Sequence, residues 1–328
     1  MKPAIPLSLY IHIPWCERKC PYCDFNSHEN YSPDVEPLYV SALLNDLNQQ
    51  LDLVDGRPIS TIFFGGGTPS LFSATAIDQI LKGVRSRVSV DDNCEITLES
   101  NPGSAEAAKY KAYKDAGVNR LSIGVQSFDD DKLKDLGRIH NSDEAKAAID
   151  MAFASGFDRL NIDLIYGLDN QVRSEAIADI ETALSFGVSH LSWYQLTIER
   201  NTAFWSKPPT LPDADVVEPW QESVRELLGN SDIHQYEVSA WSREGEESRH
   251  NLNYWRFGDY LAIGAGAHGK VMCPLSYLAQ AWPQNYSHCQ LCRWRQNLRL
   301  SHITGAAHCR TLQAIQFVIQ VFSQDLCS

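Results

Sequence analysis

The sequence predicts an α/β fold, specifically an incomplete TIM-type (β/α)6 barrel with a small C-terminal appendage. Three features support it. Six short β-rich runs alternate with helical patterns over residues 7–197, which is typical of parallel strands joined by crossover helices. Polar residues follow the ends of these runs, where barrels carry their functional side chains. The length of 328 residues suffices for one barrel core and a smaller second unit.

Six segments rich in apolar and β-branched residues are predicted to be strands. In chain order they are Leu7 to Ile13, Ser60 to Phe64, Glu95 to Glu99, Arg120 to Gly124, Leu160 to Ile165 and His190 to Leu196. A proline-rich stretch at 207–212 then precedes a helical pattern near Val216 to Leu228. We therefore divide the chain into a barrel over residues 1–200, an accessory region over 201–270 and an atypical tail over 271–328.

Composition excludes several classes of function. Hydrophobic residues make up 44% of the chain and charged residues 21%, as in ordinary globular proteins. The formal net charge of -13 argues against nucleic acid as the main partner, because phosphate binding needs a basic surface. We find neither a signal peptide nor an apolar run long enough to span a membrane. A cytoplasmic protein is expected, in which the nine cysteines stay reduced and metal ligation is favoured over disulfides.

The stretch that follows the first predicted strand carries three cysteines. Cys16, Cys20 and Cys23 have the spacing C-x3-C-x2-C, directly after Pro14 stops the strand. Three thiolates can hold three irons of a 4Fe-4S cluster and leave the fourth iron open to a ligand. The alternatives are a structural zinc site or inert reduced thiols, but zinc ligands commonly come as paired C-x2-C or Cys/His sets.

This loop resembles the radical S-adenosylmethionine (SAM) superfamily, whose signature is the same spacing with an aromatic residue, here Tyr22, before the third cysteine. The resemblance implies that the open iron binds SAM and that an electron from the reduced cluster cleaves SAM to a 5′-deoxyadenosyl radical. The cofactor then carries the reaction, while the protein supplies ligation, orientation and exclusion of water.

The same resemblance implies a set of SAM-contacting residues at the strand ends. Gly65-Gly66-Gly67-Thr68-Pro69 resembles the segment that lies against the methionyl amine, although a glycine triplet alone equally indicates a tight turn. Glu99 resembles the residue that contacts the ribose hydroxyls, for which a carboxylate is a suitable acceptor. The implied SAM contacts are Tyr10, Tyr22, Gly66, Gly67, Thr68, Glu99, Gln126, Arg138 and Asp163.

Within the superfamily, the sequence resembles the oxygen-independent coproporphyrinogen oxidase group. The matching stretches are His-Ile-Pro-Trp-Cys at 12–16, Ser-Ile-Gly-Val-Gln-Ser at 122–127, Leu-Gly-Arg-Ile-His at 136–140 and Asp-Leu-Ile-Tyr-Gly-Leu at 163–168. The decarboxylating dehydrogenase of this group carries a further cysteine two residues after the third cluster cysteine, where Phe25 stands here. The HemW-type heme chaperones carry Cys-Asp-Phe-Asn, as at 23–26, so the resemblance favours the chaperones.

A second stretch, His-Asn-Leu-Asn-Tyr-Trp at 250–255, matches the HNxxYW motif of the HemW-type chaperones. The resemblance implies that His250 is an axial ligand of heme iron, with Tyr254 and Trp255 offering flat apolar surface to the porphyrin. From residue types alone, a histidine packed in an aromatic core is favoured. His268 suits either role and is not assigned.

The predicted function is that of a heme chaperone that binds a 4Fe-4S cluster, SAM and heme. It would hand heme to apo-hemoproteins, respiratory membrane-bound ones among them, and take electrons from a donor such as flavodoxin or ferredoxin. The alternative is an enzyme of porphyrin metabolism, an oxygen-independent coproporphyrinogen III dehydrogenase. A nonfunctional relic is a third hypothesis. Whether SAM is cleaved or only bound is left open.

The tail has a different composition from the rest of the chain. Residues 271–328 hold four Arg, no Lys, one Asp and no Glu, a net charge of +3, whereas residues 1–270 carry -16. Five of the nine cysteines also fall there. This shift, at the point where the resemblance stops, predicts an unrelated reading frame or an altered terminus. The alternative is a second metal site of Cys289 and Cys292 with His302, His308 or Cys309.

Overall fold

The structure, a computed structural model, describes residues 5–272. Most of the predicted tail, including the alternative metal site at Cys289 and Cys292, lies outside these residues. The described part forms one nine-stranded sheet in the order β7-β8-β6-β5-β4-β3-β2-β1-β9. The strands are β1 Leu7–Ile13, β2 Ile59–Gly66, β3 Val90–Ser100, β4 Arg120–Gln126, β5 Leu160–Tyr166, β6 His190–Gln195, β7 His234–Gln235, β8 Ala240–Ser242 and β9 Asp259–Ile263.

Helices connect the strands, as expected for parallel β-strands. They are α1 Glu36–Asn48, α2 Ala74–Arg85, α3 Ser104–Ala107, α4 Tyr110–Ala116, α5 Asp130–Asp135, α6 Ser142–Ala154, α7 Arg173–Ser185, α8 Ala203–Ser206, α9 Ala214–Gly229 and α10 Arg249–Trp255. Strands β1 to β6 pair in parallel in chain order. This is the predicted (β/α)6 arrangement, and all six predicted strands are present.

Strand β9 adds a seventh parallel strand beside β1, and the short strands β7 and β8 form an antiparallel edge beside β6. These three strands were not among the predicted ones, because runs of two to five residues are too short to show a period. Since β9 pairs with β1, part of the region 201–270 extends the sheet of the barrel strands. The division of the chain into three regions stays a prediction.

The strands alternate between an apolar outer face and a polar inner face. On β1, Leu7, Leu9, Ile11 and Ile13 are at most 1% exposed and belong to the main core under the helices. Burial of each such side chain contributes roughly 1.5–3 kcal/mol. The residues between them are polar or aromatic, and the same holds on the neighbouring strands. The inner set includes Ser8, Tyr10, His12, Thr61, Phe63, Thr97, Glu99, Ser122, Asn161, Asp163, Ser192 and Tyr194.

Helix α10 packs against β1 and β2 near their amino ends. Its first turn is capped by Ser248, whose side chain accepts a hydrogen bond from the Asn251 N–H. The backbone N–H of His250 donates to Glu95 Oε1 at 3.1 Å. A short helix of seven residues is thereby fixed at the end of the barrel opposite to the cysteine loop.

No helix within residues 5–272 has both the length and the apolar composition that crossing a lipid bilayer requires.

Candidate functional site

The three cysteines lie on a loop at the carboxyl end of β1. The loop is closed by backbone hydrogen bonds from Cys16 N–H to the His28 carbonyl at 2.9 Å and from His28 N–H to the Pro14 carbonyl at 2.8 Å. Lys19 donates from its ammonium to the Phe25 and Ser27 carbonyls inside the loop. The segment 16–28, which contains the three cysteines, therefore returns to the point where it leaves the strand.

The thiols fit an iron-sulfur cluster. Cys16, Cys20 and Cys23 are all free within the described chain. Burial raises the pKa of Cys16 and of Cys23, and the neighbouring cysteines raise both further, so the sulfurs lie within electrostatic range of one another. Within residues 5–272, no three His, Cys, Asp or Glu side chains converge on a single metal ion.

The predicted glycine segment forms the turn after β2, directly against the base of the cysteine loop. Gly67 N–H donates to the Ile13 carbonyl at 2.8 Å, and Thr68 N–H donates to the Trp15 carbonyl at 2.7 Å. A Cβ at Gly67 would lie 2.5 Å from the Trp15 carbonyl oxygen, and Gly66 has a φ of 115°. Glycine is therefore required at both positions by close approach and backbone conformation.

Arg138 reaches into the mouth from the segment after α5. Its Nη1 donates to Cys20 Sγ at 3.4 Å, and its Nη2 donates to Asn101 Oδ1 at 2.6 Å and to the Gly124 carbonyl at 2.9 Å. The predicted SAM contact Arg138 thus also touches the cysteine loop.

Two carboxylates, Glu99 on β3 and Asp163 on β5, face the inside of the barrel. Burial first, and then the charge of Asp163, raise the pKa of Glu99 to about 8 against the opposing hydrogen bond from the Gly66 N–H. Burial also raises the pKa of Asp163, although Ser122 and Asn161 donate to its oxygens at 3.1 and 2.7 Å. The sheet brings these two predicted SAM contacts into electrostatic range.

The remaining predicted SAM contacts lie around the same opening. The Tyr10 hydroxyl lies 3.1 Å from His12 Nδ1, and Thr68 Oγ1 accepts from Asn101 at 3.2 Å. Gln126 has a positive φ of 72° at the end of β4, and its Oε1 accepts from Tyr194 at 2.9 Å. Tyr22 packs into a small apolar cluster with Leu136, Leu168, Leu196 and Phe204.

His250 is placed differently from an open iron ligand. It is 1% exposed, and its ring nitrogens lie 2.7 Å from Thr61 Oγ1 and 2.7 Å from the Tyr254 hydroxyl. Thr61 is five residues before Gly66, so about 16 Å of strand separates His250 from the glycine turn. In this arrangement both ring nitrogens have hydrogen-bond partners and the ring is buried, and the axial role of His250 stays a prediction.

Several residues of the site were not predicted. The Asn161 side chain is hydrogen-bonded to Asp163 and also to Ser122, His190 and Ser192. It therefore joins the Asp163 carboxylate to the polar side chains of β4 and β6. Asn101 joins Arg138 to Thr68. Asn161 stands between two apolar residues of its strand. This alternation was the available signal that its side chain faces the inside of the barrel. His268 is exposed and close enough to His12 to lower its pKa further, after burial has done so.

Comparison with known proteins agrees with this geometry. The family described as the radical SAM superfamily matches residues 10–183. Proteins described as heme chaperone HemW in Haemophilus influenzae and Escherichia coli K12 are each 53% identical to the chain, over 82% of it and 71% of the relative. The chain belongs to the HemW family of radical SAM proteins. Membership in the superfamily implies a 4Fe-4S cluster and SAM as cofactors.

Solved structures support the predicted fold class. The radical SAM enzyme coproporphyrinogen III oxidase (HemN) from Escherichia coli superimposes with a TM-score of 0.71 at 24% identity. The match covers 82% of this chain, which spans 65% of that structure's chain. At this identity the likeness shows the fold alone, so it does not decide between the chaperone and the coproporphyrinogen dehydrogenase.

Proposed function

We propose that the chain is a heme chaperone that carries a 4Fe-4S cluster and SAM and passes heme to apo-hemoproteins. The observation that carries this proposal is the 53% identity, over four fifths of the chain, with two bacterial proteins described as heme chaperone HemW. Phe25 supports it, because the resemblance implies a cysteine at this position in the dehydrogenase. Phe25 is 63% exposed on the cysteine loop, so packing does not account for the difference.

Cys16, Cys20 and Cys23 would hold the cluster, whose open iron supplies a binding position for SAM and an electron for its cleavage. The chain's own contribution is orientation. Arg138 would hold Cys20 by its guanidinium and stay fixed through Asn101 and Gly124. The turn at Gly66 and Gly67, with Thr68, would leave room for the methionyl end of SAM next to the loop.

The inner carboxylates would act as acceptors for the other end of SAM. Glu99 has the raised pKa of a carboxyl group that keeps its proton near neutral pH, so it can donate as well as accept a hydrogen bond. Asp163 is held by Ser122 and Asn161, which fix the direction of its oxygens. Tyr10, Tyr22 and Gln126 would complete the walls of this site.

The partners follow from the same proposal. Heme is the cargo, and apo-hemoproteins are the recipients, with membrane-bound respiratory proteins as the class to test. A flavodoxin or ferredoxin would supply the electron. The work would take place in the cytoplasm. An axial role for His250 would require one ring nitrogen to exchange its hydrogen bond, with Thr61 or Tyr254, for the iron, and the proposal does not depend on that role.

The second candidate is an oxygen-independent coproporphyrinogen III dehydrogenase, to whose group the motifs at 122–127, 136–140 and 163–168 also belong by resemblance. One anaerobic experiment separates the two candidates. The purified, reconstituted protein is incubated with coproporphyrinogen III, SAM and a reductant, and the porphyrin product is identified. In parallel, the protein is titrated with heme while the Soret band is followed.

We expect a saturable Soret shift and no protoporphyrinogen. Formation of protoporphyrinogen without heme binding would overturn the chaperone proposal. Protein that neither binds iron nor shows a cooperative thermal transition would instead favour the nonfunctional relic.

A further inference from the structure

The Asn101 side chain connects neighbouring strand ends at the mouth of the barrel. Asn101 follows β3, and its Oδ1 accepts a hydrogen bond at 2.6 Å from Nη2 of Arg138, which stands in the segment after β4 and α5. Its Nδ2 donates at 3.2 Å to Oγ1 of Thr68, in the turn after β2. Arg138 Nη1 in turn donates to Cys20 Sγ at 3.4 Å, on the loop after β1. One amide is therefore linked to the ends of all four strands.

The chemistry of the two partners fixes the orientation of the Asn101 amide. A guanidinium has only N–H donors, so the atom of Asn101 that faces Arg138 must be the carbonyl oxygen. The amide nitrogen is then directed toward Thr68 Oγ1, which accepts. Thr68 is itself fixed, because it is buried and its N–H donates to the Trp15 carbonyl at 2.7 Å. The turn after β2 therefore holds Asn101 while Asn101 holds Arg138.

Arg138 is also kept against the cysteine loop by its own backbone. The residue before it, Gly137, has a φ of 69°, and a Cβ at that position would lie 2.7 Å from Pro21 Cδ. At the tip of the side chain, Nη2 donates to the Gly124 carbonyl at 2.9 Å as well as to Asn101. Because two acceptors hold Nη2, the guanidinium turns only if hydrogen bonds break, and Nη1 stays directed at the cysteine sulfur.

The positive charge of Arg138 has no carboxylate partner in the part of the chain that the structure describes. None of the ion pairs within residues 5–272 includes its guanidinium. The acceptors around it are a neutral amide, a backbone carbonyl and the Cys20 sulfur. An aspartate in place of Asn101 would offer a similar acceptor with a negative charge. The amide therefore positions the arginine without neutralising it.

A fixed cation beside a cluster ligand affects how readily the cluster is reduced. The reduction potential of an iron-sulfur cluster depends on the net charge around it and on hydrogen bonds to its sulfurs. The electron from the donor adds one negative charge to the cluster. A guanidinium that donates to a ligating sulfur therefore stabilises the reduced form more than the oxidised form. The charge of Arg138 and its hydrogen bond to Cys20 both act in this direction.

We propose that Asn101 is a positioning residue that holds the Arg138 guanidinium on Cys20 with its charge uncompensated, and that it thereby raises the reduction potential of the cluster. The inference rests on the proposed ligation of a 4Fe-4S cluster by the three cysteines of the loop. It does not depend on the binding of SAM or heme.

The test compares Asn101→Asp, Asn101→Ala, Arg138→Gln and the double variant of Asn101→Ala with Arg138→Gln in the full-length protein. Asn101→Asp keeps an acceptor for Arg138 and adds a negative charge, whereas Asn101→Ala removes the acceptor. Iron content is measured first, and the potential of the reconstituted cluster is then measured by anaerobic redox titration with EPR detection. SAM is left out, so that a change in SAM affinity does not enter the result.

Asn119→Asp is the matched control. Both groups of the Asn119 side chain are also hydrogen-bonded, since Oδ1 accepts from Ile96 N–H at 2.8 Å and Nδ2 donates to the Cys94 carbonyl at 2.8 Å. Asn119 directly precedes β4, so it lies at the amino end of the sheet, away from the cysteine loop. The same substitution adds the same charge there, and the potential should stay at the parent's value.

We expect every variant to keep the parent's iron content. Asn101→Asp should lower the equilibrium constant for one-electron reduction by about tenfold, which corresponds to about 59 mV for a one-electron couple. Arg138→Gln should lower it at least as much. Asn101→Ala should lower it by about threefold, because Gly124 then remains the acceptor for Nη2. In the double variant, the loss of Asn101 should add nothing to the effect of Arg138→Gln, since Asn101 acts through the arginine.

An unchanged potential in both Asn101→Asp and Asn101→Ala would overturn the inference. So would a further fall of the potential from Arg138→Gln to the double variant, because Asn101 would then act on the cluster directly. If Asn101→Ala loses iron, Asn101→Asp and Arg138→Gln carry the test, and loss of iron in Asn101→Asp as well would make Asn101 a structural support of the loop. A parent that binds no iron would refute the proposed function and this inference with it, whereas a cluster whose potential no substitution moves refutes this inference alone.

Discussion

The mouth of the barrel holds three cysteines outside any disulfide, whereas the amino end holds two histidines whose ring nitrogens are all hydrogen-bonded. Three cysteines are free at the mouth, and Arg138 Nε has no partner among the described residues. At the amino end, both nitrogens of His250 and both nitrogens of His190 have partners within 2.8 Å. A residue type that commonly binds ligands can therefore have all its hydrogen-bonding atoms paired within the fold, as both histidines show.

The two ends also differ in how they treat charge. The amino end encloses Glu95, which is paired with Arg159 at 3.2 Å and lies 3.8 Å from Arg120. At the mouth, Glu99 and Asp163 both face the inner space. The charge of Asp163 raises the pKa of Glu99, and burial raises the pKa of Asp163. The buried charge is therefore paired with arginines at the amino end, whereas at the mouth one buried carboxyl group lies in the field of another.

The largest expected effect is at the mouth. Cys20→Ser removes one cluster ligand, so we expect iron in anaerobically reconstituted protein to fall from about four per chain to nearly none. Inductively coupled plasma measurement and the visible absorption of the cluster provide the readout. Cys94→Ser is the matched control, because Cys94 is a free cysteine buried on β3 away from the loop. Equal iron contents in the two variants would mean that the loop does not hold the cluster.

At the amino end, Glu95→Ala should destabilise the fold without changing the iron content. The substitution leaves Arg120, which is 1% exposed, as a buried charge with one partner fewer, at a cost of about 3–5 kcal/mol in the free energy of unfolding. Chemical denaturation measures this. Glu222→Ala breaks an exposed pair with Arg225 and should cost less than about 1 kcal/mol. A similar loss in both variants would contradict the division between the two ends.

The sequence predicted those features of the two ends that are local in the chain, and it missed those that depend on contacts between distant residues. The six strands were predicted because each is at least six residues long with a clear apolar content. The cysteine loop was predicted because its ligands are local in sequence. The seventh parallel strand, β9, was missed because its five residues gain their strand partner, β1, from 250 residues away.

The hydrogen-bond partners of the His250 ring could not be derived from the sequence for a related reason. The motif is local, but the partners that occupy the ring, Thr61 and the inner face of β2, come from a distant part of the chain. The spacing of four residues between His250 and Tyr254 does place them on one face of a helix, which was a usable signal. The spacing alone does not show whether that face contacts a ligand or the strands of the barrel.

A glycine at the mouth should be sensitive for steric reasons alone. In Gly67→Ala the new Cβ would lie 2.5 Å from the Trp15 carbonyl oxygen, which is fixed by its hydrogen bond from Thr68 N–H. We expect a loss of about 1–3 kcal/mol in the free energy of unfolding and a weaker affinity for SAM, measured by denaturation and calorimetry. Gly229→Ala, at a position with nothing within 4 Å, should be neutral or slightly stabilising. Unchanged stability and SAM affinity in Gly67→Ala would show that the turn tolerates a side chain.

The smallest effect concerns pH. Folded Glu99 keeps its proton up to about pH 8, whereas in the unfolded chain the carboxyl loses it near the ordinary value of 4.5. The folded state binds more protons between these values, so stability falls as pH rises through this window, and the penalty is complete above pH 8. Glu99→Gln removes the titration. In protein without cofactors, we expect the variant's advantage over the parent to grow by about 1–2 kcal/mol from pH 5 to pH 8.5, after allowance for solvent in the inner space. If the advantage shrinks as the pH rises, the surroundings of Glu99 stabilise its ionised form. The carboxylate at the mouth would then be compensated as the buried charges at the amino end are.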